Sequence, residues 1–204
     1  MRKQIGVLAS HAGTVLQAII DASTDGRLEA DVCLIVSNNS RSGAAQRAEK
    51  HQIPFVHLSG QTHPAPAALD AAILEALVEQ RADIVFLAGY MKKLGPRTLA
   101  HFRGRILNTH PALLPKFGGL GMYGARVHAA VLAAGDRVTG VSVHLVESEY
   151  DSGPVLAQCQ VPVLPGDDVE ALAARVQMRE RQFVVETLAR LARGERLEPP
   201  EPSH

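Results

Sequence analysis

Ile5-Gly6-Val7-Leu8-Ala9-Ser10-His11-Ala12-Gly13-Thr14-Val15-Leu16-Gln17-Ala18-Ile19-Ile20-Asp21-Ala22 is the stretch on which the fold turns. Its first five residues are an apolar run without alternation, the pattern of a strand buried on both faces. Thr14 to Ala22 reads as a helix. Between them, Ser10 to Gly13 is a short loop at the strand's carboxyl end. Backbone amides at such a helix start attract phosphate, and Gly13 lets a ligand approach the main chain. An ordinary strand-to-helix turn with Thr14 as its cap would use the same residues.

The same rhythm continues outward. Val32 to Ser37 reads as a second strand, Ala44 to His51 as a helix, and Ile53 to His57 as a short extended run. Ala67 to Gln80 places Leu69, Ile73 and Leu77 at helical spacing, and Ile84-Val85-Phe86-Leu87 is another buried strand. Arg105-Ile106-Leu107 follows as a fifth. This alternation predicts an α/β fold with a doubly wound, mostly parallel, Rossmann-like sheet. In such sheets ligands bind beyond the carboxyl ends of the strands. The loops expected there are Ser10 to Gly13, Gly89 to Leu94, and Asn108 to Pro111.

The second half changes character. Gly118 to Tyr123 reads as a loop and Arg126 to Ala134 as a short helix. Gly140 to Leu145 and Val155 to Val163 read as two strands, expected to form an antiparallel C-terminal pair. Asp167 is expected to open a long C-terminal helix, with Glu170 as its capping-box partner, running to about Arg193 with Gly194 as C-cap. Residues 1–194 are expected to form a single domain. Residues 195–204, with Pro199, Pro200 and Pro202, are expected to be a poorly ordered tail.

With 21 Lys plus Arg against 21 Asp plus Glu, the chain lacks the basic excess of a nucleic-acid or membrane-surface protein. The apolar run after Met1-Arg2-Lys3-Gln4 is too short for a signal-peptide core, and no run approaches transmembrane length. Cys33 and Cys159 each sit in a strand-like run and read as buried, reduced thiols. A cytoplasmic setting is the expectation. The histidines show no metal-ligand spacing, so no metal is expected.

The chemistry-bearing residues are Asn108, His110 and Asp151. Asn108 and His110 are two apart, so an extended chain points them to the same side, and Pro111 biases His110 towards an extended conformation. Asp151 lies in the turn Asp151-Ser152-Gly153 beyond an acidic run. An amide donor, an imidazole and a carboxylate suit acyl transfer: one group for an oxyanion, one to carry a proton, one to tune it. A carboxylate close to His110 would raise its pKa. Read blandly, the same residues are a surface-loop histidine and a solvated acidic loop. On the last helix Gln177 and Glu180 are three apart and share a face. Gln177 is expected at the edge of the core.

These residues resemble the folate-dependent phosphoribosylglycinamide formyltransferase family. The resemblance runs from about Ile5 to Arg193. It is carried by Asp83-Ile84-Val85-Phe86-Leu87-Ala88-Gly89-Tyr90-Met91, Asn108-Thr109-His110-Pro111-Ala112-Leu113-Leu114-Pro115, Gly140-Val141-Ser142-Val143-His144, Tyr150-Asp151-Ser152-Gly153-Pro154-Val155 and Arg175-Val176-Gln177 with Glu180. It implies formyl transfer from 10-formyltetrahydrofolate to the amine of phosphoribosylglycinamide in purine biosynthesis, through a tetrahedral intermediate and without a metal. Asn108 would hold the formyl oxygen. His110 would stabilise the oxyanion and assist proton transfer, and Asp151 would raise the pKa of His110. Met91, Lys92, Lys93, Leu94, Val146 and Glu147, with Asn108 and Asp151, would line the folate site. Gly13, Thr14, Val15, Gly89, Pro111, Gln177 and Glu180 would hold the acceptor. Small-molecule substrates are the implied partners, with the protein a monomer or a homodimer.

The chain departs from the family in three places, one of them the loop Gly118 to Tyr123, which is longer than in some members and would reshape the acceptor site. Ser10-His11-Ala12-Gly13-Thr14-Val15 stands where the family usually has Ser-Gly-x-Gly-Ser/Thr-Asn. A folate-contacting arginine of the family aligns near Pro66, so the glutamate tail would be held either less tightly or by another base such as Lys92 or Lys93. A formyltransferase for another amine, such as an amino-sugar nucleotide, a formyl-folate hydrolase and a non-catalytic folate-binding protein remain open at this point. The hydrolase relative would carry an added regulatory domain.

Overall fold

The computed structural model describes residues 2–197. They fall into two compact units, divided in the chain after Asn108.

The first unit is built on parallel strands. β1 (Lys3–Ala9) lies between β2 (Ala30–Ser37) and β4 (Ile84–Leu87), β3 (Phe55–His57) lies beyond β2, and β5 (Ile106–His110) lies beyond β4. Val7 sits opposite Ile35 on one side and Phe86 on the other, and all three are fully buried. That is why these strands read as unbroken apolar runs. The crossovers are α1 (Thr14–Thr24), α2 (Gly43–His51), α3 (Pro66–Glu79) and α4 (Pro96–His101).

The chain winds outward from β1 to β3, then returns to the other side of β1 to lay down β4 and β5. This double winding is the fold expected, and its switch point lies between β1 and β4. The two loops there are tied together. The Ser10 amide donates to the Gly89 carbonyl at 3.3 Å, the Ser10 hydroxyl accepts from the Met91 amide at 2.8 Å, and it donates to the Asn38 side-chain oxygen at 2.6 Å.

Three local details differ from the sequence reading. Gly13, at φ +66°, is the N-cap of α1, and Thr14 is the first helical residue. The left-handed conformation needed at the turn excludes a side-chain cap and favours glycine. Asn108, Thr109 and His110 are the last residues of β5 rather than a loop after it. The β4–β5 ladder extends to Leu87 opposite Asn108 and carries the strand further than its apolar run. α4 was not anticipated because its six residues are too few for a periodic signal.

The second unit pairs β6 (Val138–Leu145) with β7 (Val155–Pro162) as antiparallel strands, with Val141 opposite Cys159. α5 (Ala125–Ala133) and the 24-residue α6 (Val169–Ala192) pack on each other, and α6 also packs on both strands. Leu172, Val176, Phe183, Val184 and Leu188 supply its buried stripe. The cap of α6 is one residue later than expected. Asp168 accepts from the Ala171 amide at 2.8 Å, while Asp167 accepts from the Leu164 amide and pairs with Arg175, which holds its carboxyl down at about 2. Arg193 is the C-cap, and Gly194 follows at φ +77°. At the start of the expected tail, Glu195 pairs with Arg190 and Arg193; residues 198–204 lie outside the described residues. Both cysteines are free and half-buried, not fully buried. Among the described residues no helix is long and apolar enough to cross a membrane.

Candidate active site

β5 delivers His110 at its last position, almost fully buried. β6 delivers His144 one residue before its end, equally buried. The turn between β6 and β7 brings Asp151 to both. Its Oδ2 lies 3.4 Å from His110 Nδ1, and its Oδ1 lies 3.4 Å from His144 Nε2. The Gly119 amide donates to Oδ2 at 3.0 Å. Asp151 is held at φ +53°, a conformation uncommon for residues other than glycine. Gly153 lets the turn close, because a Cβ there would collide with the Leu145 carbonyl.

Each ring also bonds a backbone carbonyl. His110 Nε2 is 2.8 Å from the Phe117 oxygen, and His144 Nδ1 is 2.9 Å from the Leu145 oxygen. A carbonyl only accepts, so both of these nitrogens carry hydrogen. Beside the cluster, the Ser142 hydroxyl donates to the Ala112 carbonyl (2.7 Å) and accepts from the Leu114 amide (2.9 Å). Gln158 donates to Ser142 (2.8 Å) and to the Leu114 carbonyl (2.9 Å). The segment following His110 is thereby pinned.

The charges around His110 oppose one another. Burial lowers its pKa and outweighs the Asp151 carboxylate and the Phe117 bond, which raise it; a charged His144 lowers it further. The expectation that Asp151 leaves His110 with a raised pKa is therefore corrected: the carboxylate pulls upward, but the buried ring titrates below its ordinary value. Burial pushes Asp151 up, yet its bond from His144 and the charge of His110 hold it below the ordinary carboxylate range.

Glu180 on α6 accepts from the Thr109 hydroxyl at 3.1 Å. Burial pushes its carboxyl up to about 7, against the downward pull of that bond. Among the described residues no group of three or more His, Cys, Asp or Glu could hold a metal ion.

In the first unit a cleft of about 630 Å³ is lined by Asn38, Asn39, Ser40, His57, Ser59, Gly60, Gln61, Leu69, Tyr90, Lys92 and Lys93. None of these is acidic, so the lining suits an anionic group. Burial lifts the Tyr90 phenol to about 12, which keeps it neutral.

The formyl transferase family model matches residues 3–188, across both units. The chain belongs to the formyl transferase family. It is 42% identical over 186 residues to a phosphoribosylglycinamide formyltransferase of Mycobacterium tuberculosis, covering 91% of this chain and 83% of that protein. It is 41% identical over 191 residues to the chloroplastic phosphoribosylglycinamide formyltransferase of Vigna unguiculata, covering 93% of this chain but only 61% of that protein's length. Among solved structures, glycinamide ribonucleotide transformylase 1 of Symbiobacterium toebii superposes with a TM-score of 0.87 at 38% identity, covering 94% of this chain and 88% of that one.

In this member of the formyl transferase family the residues singled out from sequence fall into separate settings. His110 and Asp151 meet, and Glu180 meets Thr109, the residue before His110. Asn108 precedes His110 by two on β5. Lys92 and Lys93 line the cleft, whereas Met91 is exposed beside it in sequence and Leu94 is buried. Gly13 is buried at the start of α1, with Thr14 exposed and Val15 in the core. Gly89, at φ +69°, leads the loop after β4, and Pro111 is half-buried. Val146 is half-buried and Glu147 exposed, both just past β6. Gln177 is exposed on α6 rather than lying against the core. His144, Thr109, Phe117 and Gly119 were missed as site residues. For His144 a signal existed: Ser142 and His144 are alternate polar residues between Val141, Val143 and Leu145, an unusual content for a buried face.

Proposed function

We propose that this chain transfers the formyl group of 10-formyltetrahydrofolate to the amine of phosphoribosylglycinamide, a step of purine biosynthesis, without a metal. The observation that carries the reading is the buried His110–Asp151 pair at the end of β5, in a chain that covers 83% of a bacterial relative bearing that activity in its name. Its two free cysteines suit a reducing cytoplasm.

In this reading the neutral amine attacks the formyl carbon, and a tetrahedral carbon with an oxyanion forms. Asn108 and His110, on one side of β5, donate to that oxygen. His110 Nε2 is the donor once the Phe117 carbonyl gives up the bond. The attacking nitrogen loses its proton towards Asp151, directly or through water, and the folate nitrogen leaves with a proton. Lys92 and Lys93 offer cations to the glutamate end of the donor, from a cleft with no acidic lining residue. Gly13, Thr14 and the amides opening α1 offer donors to the acceptor's phosphate, and Glu180 with Gln177 accepts from its ribose and amide groups.

The test is loss of formyl-folate absorbance with and without glycinamide ribotide. Acceptor-dependent loss is expected, and His110→Ala should cut turnover by about 100- to 1000-fold while leaving folding and folate binding in place. Near-wild-type turnover in that variant sinks the assigned chemistry. Loss without acceptor makes the protein a hydrolase, and binding without loss makes it a non-catalytic folate module.

A further inference from the structure

Asp151, expected beside one histidine, faces two. His110 and His144 are arranged as counterparts. Each ring commits one nitrogen, as an N–H, to a backbone carbonyl: His110 Nε2 to Phe117 and His144 Nδ1 to Leu145. Each turns its other nitrogen to one oxygen of the same carboxylate, at the same distance of 3.4 Å. A neutral imidazole carries only one N–H. With both rings neutral and Asp151 ionised, two nitrogen lone pairs would face two carboxylate oxygens and neither contact could be a hydrogen bond. One added proton turns one contact into a charge-assisted bond. A second proton satisfies both, but sets two cations around a single negative charge in a buried site.

We infer that His144 is a positioning residue for the reaction: it competes with His110 for Asp151, so that the two imidazoles and the carboxylate hold protons as one coupled unit. This rests on the function proposed above, and deepens it. The carboxylate charge that steadies a proton on His110 is divided between two rings, which keeps that proton transferable rather than locked in a one-to-one ion pair. A further titratable group near His110 among the described residues is the buried His128 of α5, whose charge opposes that of His110. Gly119 adds an uncharged donor to Asp151. Coupled sites of this kind titrate in shared steps that belong to the pair and not to either residue.

The experiment is an NMR titration of the imidazole Cε1–H signals in the unliganded protein, with His144→Gln alongside. Glutamine places an amide N–H near the position of Nε2, so it can still orient Asp151 but takes up no proton. In the wild type, His110 and His144 are expected to show the same two steps. In His144→Gln, His110 is expected to show one step, moved to higher pH by about 0.5 to 1 unit, because the carboxylate then faces one ring alone. The limb of the kcat/KM profile that follows His110 should move in the same direction, which a merely structural His144 would not cause. Independent single-step curves in the wild type, or a His110 curve unmoved in His144→Gln, overturn the inference. The wild-type titration decides the matter if the variant fails to fold. The NMR readout needs no turnover, so shared steps in a protein that moves no formyl group would refute the proposed function and leave the coupling standing.

Discussion

Two carboxylates, Asp70 in the first unit and Asp151 in the second, are withdrawn from solvent and put to opposite uses. Asp70, 3% exposed, accepts from the Arg97 amide at 2.8 Å, the Thr98 amide at 3.0 Å and the Thr98 hydroxyl at 2.6 Å. It caps α4, whose own N-cap is Gly95 and supplies no side chain; any Cβ at Gly95 would overlap the Asp70 carboxyl. Asp151 has one backbone donor and two imidazoles, both at 3.4 Å. Amide and hydroxyl donors keep their protons at every physiological pH, so Asp70 is locked. Imidazoles exchange theirs, so Asp151 is adjustable. Burial alone does not mark a functional acid; the kind of donor around it does.

Exchanging the loss between the two positions gives the largest expected contrast. Asp70→Ala removes a carboxylate from three donors, two of them backbone amides, and should lower stability by about 2–4 kcal/mol. Chemical denaturation reads this as a drop in midpoint with an unchanged slope. Asp151→Ala should instead cost mainly turnover. A destabilised Asp151→Ala with a stable Asp70→Ala would invert the assignment of structural and adjustable acid.

Ser142 carries the same lesson inside the second unit. Its hydroxyl joins Ala112, Leu114 and the half-buried Gln158 in one hydrogen-bonded set that holds the segment after His110. Ser142→Ala leaves the Leu114 amide and the Ala112 carbonyl short of a partner and should cost about 1–3 kcal/mol. The loss should be independent of pH between 5 and 8, because no member of the set titrates there. A pH-dependent loss would mean that this set shares protons with the His110 cluster, and the line drawn between locked and adjustable groups would fall.

The fold was legible in the sequence because burial on both faces leaves the same mark wherever it occurs. Ile5 to Ala9, Val32 to Ser37 and Ile84 to Leu87 announce parallel strands without reference to anything distant. The site was legible only in part. Asn108 and His110 are neighbours in the chain, and their shared side follows from strand geometry. The meeting of Asp151 with His110 depends on the tight turn that Gly153 permits, which no local pattern specifies. His144 stayed hidden because the alternation of Ser142 and His144 marks a polar face without naming the partner, Asp151, that gives the histidine its role. The cap on α4 was unreadable for the same reason: its donors and acceptor, Asp70 and Thr98, are 28 residues apart.

Glu180 stands between the two acids and sharpens the contrast at smaller cost. One hydroxyl donor, Thr109, is too little to offset its burial, and its carboxyl sits at about 7 in the folded protein against an ordinary 4.5. A raised value means that the folded state holds the proton more tightly than the unfolded chain does. The stabilisation from that proton is complete below about 4.5 and is lost as the pH rises through about 7. Glu180→Gln keeps an oxygen for the Thr109 hydroxyl and removes the charge. Its melting temperature should therefore exceed that of the wild type at pH 8, and the gap should close as the pH falls from 7 towards 4.5. A gap of constant size over this range would show that Glu180 is charged throughout and already satisfied. A closing gap makes it a titrating acid, and the KM for the acceptor should then vary over the same pH window in the wild type and not in Glu180→Gln.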